Sequence, residues 1–252
     1  MRILASAAIL AALTQAPSYA QTTNEIDRFS AGLRLGILAT GQISEGESTT
    51  SVGTDPIQWF STTTESEANR FLWGGTVQVR PTSKIGVNVD FLRRGFDFVN
   101  TDVSESQEDE DATILFERSD VYTTKGSYWE IPLTGRYYFA RVEDGPELFL
   151  SGGVALRRVT GASTILETTT REDLEALEDD ETFTPVEEEI DALVANRSTW
   201  GAVAGIGLRN TDDFGIHLEL EARYTQWFEK SVEVGLANSA GNQIDVMLGL
   251  TF

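Results

Sequence analysis

Apolar and polar residues alternate along most of the chain, most clearly at its C-terminal end. Within 242–252, every second residue is apolar: Ile244, Val246, Leu248, Leu250 and Phe252. A repeat of two residues is typical of a β-strand with one apolar face. The same pattern predicts eight strands, at 29–39, 70–80, 85–99, 125–140, 147–160, 198–209, 214–228 and 242–252.

The predicted strands are long for a globular protein. Each has about 10–15 residues, the length that a tilted membrane-spanning strand and its overhang need. The third predicted strand changes register near Gly95, because Phe96 and Phe98 fall on the opposite face from the apolar residues before them. This change predicts a β-bulge at Gly95.

The connections between the predicted strands alternate between short and long. Three short ones contain the Gly, Pro, Asn or Asp residues of tight turns: 81–84, 141–146 and 210–213. The long ones are 40–69, 100–124, 161–197 and 229–241. Short turns on one side and long loops on the other are typical of outer-membrane barrels. We therefore predict an all-β fold, an eight-stranded antiparallel up-and-down transmembrane β-barrel. A soluble β-sandwich, with its apolar faces turned inward, is the rival fold.

Large aromatic residues lie at both ends of the predicted strands. Four tryptophans are next to the long connections: Trp73, Trp129, Trp200 and Trp227. Phenylalanines lie at the opposite ends, among them Phe139 and Phe252. Aromatic girdles at both membrane–water interfaces are typical of transmembrane barrels. We therefore predict that these six residues are membrane-interface aromatics.

The first twenty residues have the pattern of an export signal. Arg2 precedes a short apolar stretch over 3–13, and Ser18-Tyr19-Ala20 supplies the small residues of a cleavage site. We therefore predict a signal peptide over 1–20, followed by an outer-membrane barrel domain over 21–252. No run of eighteen or more apolar residues occurs in the sequence, so no membrane-spanning helix is predicted.

Charge and composition exclude several classes of function. The chain has 40 acidic and 19 basic residues and a formal net charge of −21, which disfavours binding to nucleic acid. Because 27 of the carboxylates lie in the four long connections, we predict long acidic extracellular loops. The absence of cysteine excludes disulfides and thiolate metal sites. Runs of carboxylates such as 178–181 lack the spacing of a calcium-binding loop, so we predict no metal and no cofactor.

His217 is the one candidate for a catalytic base, because the chain has no other histidine. It begins the seventh predicted strand near a short turn, and Glu219 rather than serine lies two positions on. This departs from the His-x-Ser arrangement of outer-membrane phospholipases and lipid A deacylases. A nucleophile and its base must lie within hydrogen-bond reach, and no inward serine is evident nearby. We predict that the protein is not an enzyme.

The polar faces of the strands determine what fills the barrel. An eight-stranded barrel is just wide enough for its own side chains, and each buried charge needs a partner. We predict an interior polar network that plugs the lumen, formed by Arg34, Arg80, Asp90, Arg94, Glu130, Arg136, Arg157, Arg209, His217, Glu219, Glu221, Arg223 and Asp245. The alternative is a narrow pore through the same residues, because Gly201, Gly205 and Gly207 on one inner face could leave space.

The longest connection also has a helical pattern. Thr184, Pro185 and Glu187 suit the N-cap, first and third positions of a helix. The apolar residues that follow have helical spacing. The sequence predicts a short surface helix over 185–195 and a weaker one over 171–179.

Two stretches and the last residue carry a resemblance to known proteins. The stretches are Tyr128–Phe139 (YWEIPLTGRYYF) and Glu221–Tyr224 (EARY). Together with the export signal, the eight amphipathic segments and the terminal Phe252, they resemble the outer-membrane β-barrel family of small OmpA-like, OmpX-like and PorT-like "porin family" proteins. The first stretch is similar to the family's E-I-P-L strand. The resemblance implies a C-terminal strand that the barrel-assembly machinery reads, but it implies no activity.

These observations lead to one expected function and one alternative. We expect an outer-membrane β-barrel protein with a structural or surface-interaction role through the acidic loops 40–69, 100–124 and 161–197. The alternative is a narrow cation-selective pore for ions or small solutes. The expected partners are outer-membrane lipid and lipopolysaccharide, the barrel-assembly machinery and an extracellular partner of the loops, with no nucleic acid. We expect a monomer in the cell outer membrane.

Overall fold

The structure is a computed structural model that describes residues 28–41, 43, 45–53, 57–66, 70–107, 114–139, 145–172, 186–190, 194–234 and 237–252. The predicted signal peptide over 1–20 and most of the predicted helix over 171–179 lie outside these residues. All regular secondary structure in the described residues is β-strand. Among them, no helix has the length and apolar character to cross a membrane.

Thirteen strands are present in the described part of the chain. They are β1 (Phe29–Leu38), β2 (Gly46–Val52), β3 (Ile57–Ser66), β4 (Phe71–Val79), β5 (Ile85–Gln107), β6 (Ile114–Tyr138), β7 (Glu147–Glu172), β8 (Val186–Ile190), β9 (Ser198–Thr211), β10 (His217–Trp227), β11 (Glu233–Val234), β12 (Ala237–Asn238) and β13 (Asn242–Thr251). Eight of them correspond to the eight predicted strands, with ends that differ by up to a few residues or continue beyond the prediction: β1, β4, β5, β6, β7, β9, β10 and β13.

The eight strands close into a ring. Each pairs antiparallel with the next along the chain, and β13 returns to pair with β1, with Leu33 opposite Leu250. Closure leaves no unpaired edge within the ring, which is how a barrel satisfies its backbone hydrogen bonds. The prediction of an all-β, eight-stranded antiparallel barrel is confirmed.

The two faces of the ring differ in polarity. Leucines, valines and isoleucines point outward and are exposed, for example Leu35 at 48% and Leu248 at 48%. Their neighbours along each strand point inward and are mostly polar and buried, for example Arg34 at 0% and Asp245 at 3%. A sandwich buries its apolar faces between two sheets, so the rival fold is wrong.

Three of the ring strands continue far beyond the barrel. β5, β6 and β7 have 23, 25 and 26 residues. Beyond the ring they form a sheet together with β2, β3 and β8, in the order β2-β3-β5-β6-β7-β8. We call this part the extension sheet; it comprises β2, β3, β8 and the segments 97–107, 114–125 and 163–172. We call the end of the barrel that carries it the extension end, and the opposite end the turn end.

The extension sheet is formed largely by three segments that were predicted to be loops. Much of 40–69, 100–124 and 161–197 is strand rather than irregular connection. The surface helix predicted over 185–195 is also wrong, because Val186–Ile190 forms β8 and pairs with Thr164–Thr168 of β7. A short isolated helix is marginal in water, whereas pairing with an open strand edge supplies backbone partners at once.

The predicted bulge at Gly95 is wrong as well. β5 pairs with β6 in one register from Ile85 to Ser106, so Phe96 and Phe98 point inward together with Arg94. The apparent change of face is therefore a change in what fills the interior, from charged to aromatic side chains. A register shift does occur between β6 and β7, opposite Gly161, which has a φ of 61°. Glycine tolerates this left-handed conformation.

The inner face of β9 carries Gly201, Gly205 and Gly207, on which the alternative of a narrow pore was based. Side chains from neighbouring strands occupy the space beside them. A Cβ at Gly201 would lie 3.0 Å from the Trp227 ring. A Cβ at Gly205 would lie 2.5 Å from the Ser151 hydroxyl, and one at Gly207 would overlap the Phe149 ring. These glycines make room for side chains of the neighbouring strands.

We predict that Gly207→Val destabilises the barrel. The added side chain would displace Phe149 and crowd the backbone oxygen of Leu220, which lies 2.7 Å from the Cβ position. The expected loss in unfolding free energy is roughly 1–3 kcal/mol, measured by urea titration of the refolded protein in vesicles. Gly152→Val is the control, because its Cβ would meet only the Val203 oxygen at 3.8 Å. Equal losses for both variants would contradict this account.

Candidate functional site

The polar interior of the ring is the candidate site. All thirteen residues predicted for the interior network lie buried inside the barrel, and the most exposed of them is Arg80 at 9%. They form three layers along the barrel axis, which we call the central, upper and lower layers. The upper layer lies toward the extension end and the lower layer toward the turn end.

The central layer is built around two glutamates on β10. Glu219 and Glu221 point inward because they share one face of the strand. Arg34 donates to Glu219 Oε2 at 2.7 Å and to Glu221 Oε2 at 2.8 Å. Arg136 donates to the same two oxygens at 2.9 and 2.8 Å. Two guanidinium groups therefore hold one pair of carboxylates.

Asp90 completes the central layer. Its carboxylate lies 3.0 Å from Arg34 Nε and accepts a hydrogen bond from Arg223 Nη2 at 2.7 Å. Thr76 donates to it at 2.6 Å. Buried charges of this kind are tolerated only when they are paired and hydrogen-bonded. Three arginines and three carboxylates thus share one neutral layer.

Glycines on the intervening strands allow these pairs to form. Gly249 of β13 lies between Arg34 of β1 and Glu219 of β10 in the sheet register. The Arg34 guanidinium passes 3.8 Å from the position of a Cβ at Gly249. Gly205 of β9 pairs with Ser151 of β7 and Arg223 of β10. A Cβ at Gly205 would lie 2.5 Å from Ser151 Oγ and 3.0 Å from Glu221 Oε1, so its absence leaves room for the hydrogen bond that Ser151 donates to Glu221 Oε1 at 2.9 Å. A missing side chain on the middle strand lets partners two strands apart meet.

The upper layer has two arginine–carboxylate pairs. Arg94 Nη2 lies 2.6 Å from Asp245 Oδ1, and Arg157 Nη2 lies 2.9 Å from Glu130 Oε1. Gln243 connects the pairs by donating to Asp245 Oδ2 at 2.6 Å and to Glu130 Oε2 at 3.3 Å. Its amide oxygen in turn accepts from Arg157. The upper layer is therefore a single hydrogen-bonded unit.

Trp227 belongs to this layer, so the prediction that it is a membrane-interface residue is wrong. Its side chain is 4% exposed, and its Nε1 donates to Gln243 at 3.0 Å. The Arg157 guanidinium lies 3.9 Å from its ring centroid. Trp227 shares the inward face of β10 with Glu219 and Glu221, so its position in the alternation indicated burial. Phe228 next to it is 68% exposed.

The other five predicted interface aromatics point outward. Trp73, Trp129 and Trp200 are 50%, 36% and 56% exposed near the extension end of the ring. Phe139 and Phe252 are 39% and 58% exposed at the turn end.

The lower layer includes Arg80, Arg209 and His217. Arg80 forms a two-point ion pair with Glu147, at 2.9 and 2.8 Å, and lies 3.9 Å from the Tyr138 ring centroid. Arg209 Nε is 4.0 Å from the nearest oxygen of Glu219. The sequence prediction omitted Glu147, although it lies an even number of residues from Arg157 on the same strand. Strand ends are where an alternation is hardest to assign.

His217 lies beside a hydroxyl group that the sequence analysis did not single out. Its Nδ1 is 2.9 Å from Thr211 Oγ1, which faces it across the turn. Nucleophilic catalysis requires a hydrogen bond between the nucleophile and its base, and also a third group that orients the base. Glu219 lies two residues from His217 on the same face of β10, and both of its carboxylate oxygens face arginines of the network. The expectation that the protein is not an enzyme stays a prediction.

An apolar cluster covers the upper layer at the extension end. It consists of Ile43, Phe96, Phe98, Tyr128, Val159 and Val232. The rings of Phe96 and Tyr128 stack with centroids 4.6 Å apart. The interior thus changes from charged layers to an aromatic one where the barrel meets the extension sheet. Within the described residues, no group of three or more acidic, histidine or cysteine side chains is arranged to hold a metal ion.

We predict that Glu221→Ala strongly destabilises the barrel. The change leaves Arg34, Arg136 and Arg223 buried with one carboxylate fewer. The expected loss in unfolding free energy is about 3–5 kcal/mol, measured by urea titration in vesicles. The control is Asp97→Ala, which breaks a partly exposed pair with Lys125 and should cost at most about 1 kcal/mol. A loss for Glu221→Ala no larger than that of the control would show that the network does not stabilise the fold.

Comparison with known proteins agrees with this geometry. A comparison with curated proteins found no significant match. The family model described as "Outer membrane protein beta-barrel domain" matches residues 19–232. This family implies a location in the outer membrane. The match extends over most of the chain and includes seven of the eight ring strands. The chain therefore belongs to the family of outer membrane proteins with a β-barrel domain.

Proposed function

We propose that the protein is a sealed outer-membrane barrel that carries a surface-interaction platform outside the cell. The observation that carries this proposal is the extension sheet. Six strands continue the sheet past the apolar outer surface of the ring. Building a large ordered sheet there, rather than short loops, provides a surface for contact with other molecules.

The outer surface of the ring supports a membrane-spanning position. Outward-facing apolar side chains run along β5 from Ile85 to Phe91 and along β7 from Leu148 to Leu156. Together with their counterparts on the other ring strands they form the apolar belt. Trp129 and Trp200 border it at the extension end, as interfacial aromatics do. A belt about 9–11 residues long is what one tilted crossing needs.

The interior supports a sealed barrel rather than a pore. The three layers and the apolar cluster place paired charges and stacked rings in a lumen that eight strands leave only wide enough for side chains. Arg34 and Glu221 would have to separate to admit a hydrated ion, and both are 0% exposed. Separating such a pair leaves two buried charges without partners.

The extension sheet has a polar, hydroxyl-rich inner face. Thr64 donates to Asn100 at 2.7 Å, and the hydroxyls of Thr124 and Thr164 are 2.9 Å apart. Further from the barrel, burial and the nearby Asp120 and Asp102 raise the pKa of Tyr122. A face of hydroxyls and carboxylates suits polar or cationic partners better than apolar ones.

The two borders of the extension sheet differ in chemistry. In the described part of the chain β2 pairs only with β3, and its residues 47–52 are exposed serines, threonines, a valine and one glutamate. β8 pairs only with β7 and carries Glu187, Glu188 and Glu189. Charged residues on an edge discourage further strand pairing. The β2 edge is therefore the more accessible one for an extended segment of a partner.

Export and assembly belong to the same proposal. The signal peptide over 1–20 would direct export, and the C-terminal strand with Phe252 would be read by the barrel-assembly machinery. Ring closure, which leaves no unpaired edge between β1 and β13, supports a monomer in the membrane.

We predict that the extension sheet is accessible from outside the cell. The chain has no cysteine, so a single introduced thiol reports its own location. Thr49→Cys on exposed β2 should react with a membrane-impermeant maleimide on intact cells. Asp213→Cys, exposed in a turn at the opposite end, should react only after the cells are permeabilised. The reverse pattern would overturn the proposed orientation.

We predict that the refolded protein is electrically silent in a planar bilayer. In the proposed sealed barrel, the paired charges and the apolar cluster leave no room for hydrated ions. Folding is verified first by the heat-dependent shift in gel mobility that closed barrels show. Reproducible cation-selective conductance steps from folded protein would instead support the pore function.

A further inference from the structure

We propose that four outward-facing side chains form a binding site for the phosphate groups of outer-leaflet lipid headgroups. The register places Trp73 opposite Arg93, Arg93 opposite Trp129, and Trp129 opposite Arg158. The four residues therefore form one row across β4, β5, β6 and β7, and all four are exposed. We call this row the basic–aromatic row.

The two arginines of the row have no charged or hydrogen-bonding partner in the described part of the chain. Neither Arg93 nor Arg158 forms an ion pair or a side-chain hydrogen bond with any described residue. Other basic residues of β5 and β6 have carboxylate partners. Lys125 lies 3.2 Å from Asp97, and Arg118 lies 2.9 Å from Asp120. In a chain with a net charge of −21, two guanidinium groups in one row that have no partner among the described residues indicate an anion from outside the protein.

The position of the row identifies the source of that anion. Arg93 follows Phe91 and Arg158 follows Leu156 on the outward face, so each arginine stands where the apolar belt ends. An arginine stem can lie along apolar surface while its head reaches the polar interface. Trp73 and Trp129 fix this level as the interface. The phosphates of lipid headgroups lie at the same depth, whereas a soluble phosphate ion has no reason to prefer it.

The spacing suits a headgroup with more than one acceptor. Arg93 and Arg158 are on strands separated by β6, which places their backbones roughly 10 Å apart. Guanidinium groups bind phosphate oxygens in a two-point geometry, and the long side chains can converge on one phosphate or reach two. The indole of Trp129 lies between them and can contact the sugar or glycerol part of the headgroup. Lipopolysaccharide, with its phosphorylated sugar headgroup, combines these features.

This inference rests on the proposed orientation, because lipopolysaccharide occupies only the outer leaflet. The test uses full-length mature protein folded in detergent micelles and titrated with bisphosphorylated lipid A. Binding is followed by tryptophan emission and by the shift in thermal unfolding temperature. The matched probes are dephosphorylated lipid A and inorganic phosphate. We expect lipid A to bind at least about tenfold more tightly than either probe, because charged hydrogen bonds to phosphate are the strong ones.

Three variants test whether lipid A binds to this row in particular or to positive charge elsewhere on the surface. R93Q/R158Q should weaken lipid A binding about tenfold or more, and R93K/R158K should keep part of it, because lysine retains charge but not the two-point geometry. K125Q is the matched control and should change binding less than about twofold, since Lys125 already has a carboxylate partner. All variants must show the mobility shift of a closed barrel.

Three outcomes with the variants and with dephosphorylated lipid A would overturn the site. They are equal affinity of wild type and R93Q/R158Q, equal affinity for dephosphorylated lipid A, and an equal loss in K125Q. Because this titration uses no membrane sidedness, its failure is distinct from a failure of the proposed orientation, which thiol labelling reports separately. Binding of inorganic phosphate as tight as that of lipid A would also contradict a lipid-headgroup site.

Discussion

The neutralisation of buried charge inside a closed ring is the constraint on which the rest of this structure depends. Eight strands leave a lumen that only side chains can fill, and the inward faces of these strands carry seven arginines. Each carboxylate therefore has to lie where an arginine from another strand can reach it. Glu221 of β10, contacted by Arg34 of β1, Arg136 of β6 and Arg223 of its own strand, is the point at which three strands of the ring are connected.

Glycine placement makes this neutralisation possible. Partners on adjacent strands would be close in any sheet, but Arg34 and Glu219 are separated by a whole strand. Gly249 removes the side chain that would stand between them. The absence of a side chain at Gly205 likewise leaves room for the hydrogen bond from Ser151 to Glu221. Glycine weakens a strand on its own, so its value here lies in the cross-barrel contacts that it permits.

The two ends of the ring differ in the length of their connections and in the side chains that close the interior. At the turn end the connections are short and the charged layer is closed by Arg80 and Glu147. At the extension end the interior becomes aromatic, while β5, β6 and β7 continue into a polar sheet. The outer surface changes at the same level, from the apolar belt to the basic–aromatic row. A barrel sealed inside, and anchored at its rim by lipid phosphates, would hold the extension sheet rigidly at the cell surface.

The sequence by itself determined the strands of the ring and the direction in which most side chains point. A period of two has only two faces, so fixing one apolar residue such as Leu248 assigns the whole of β13. That is why the buried positions of Arg34, Glu221 and Asp245 could be read from alternation. The same rule indicated burial for Trp227, where the expectation of an aromatic girdle was given more weight than parity.

Only the tertiary structure decided how these strands meet. Which arginine pairs with which carboxylate depends on the register between strands, and no local pattern specifies that register. Val186–Ile190 suits a helix or a strand by itself, and the open edge of β7 selects the strand. Likewise Trp73, Arg93, Trp129 and Arg158 are far apart in the sequence, and they form one row only because backbone pairing across four strands places them at the same level.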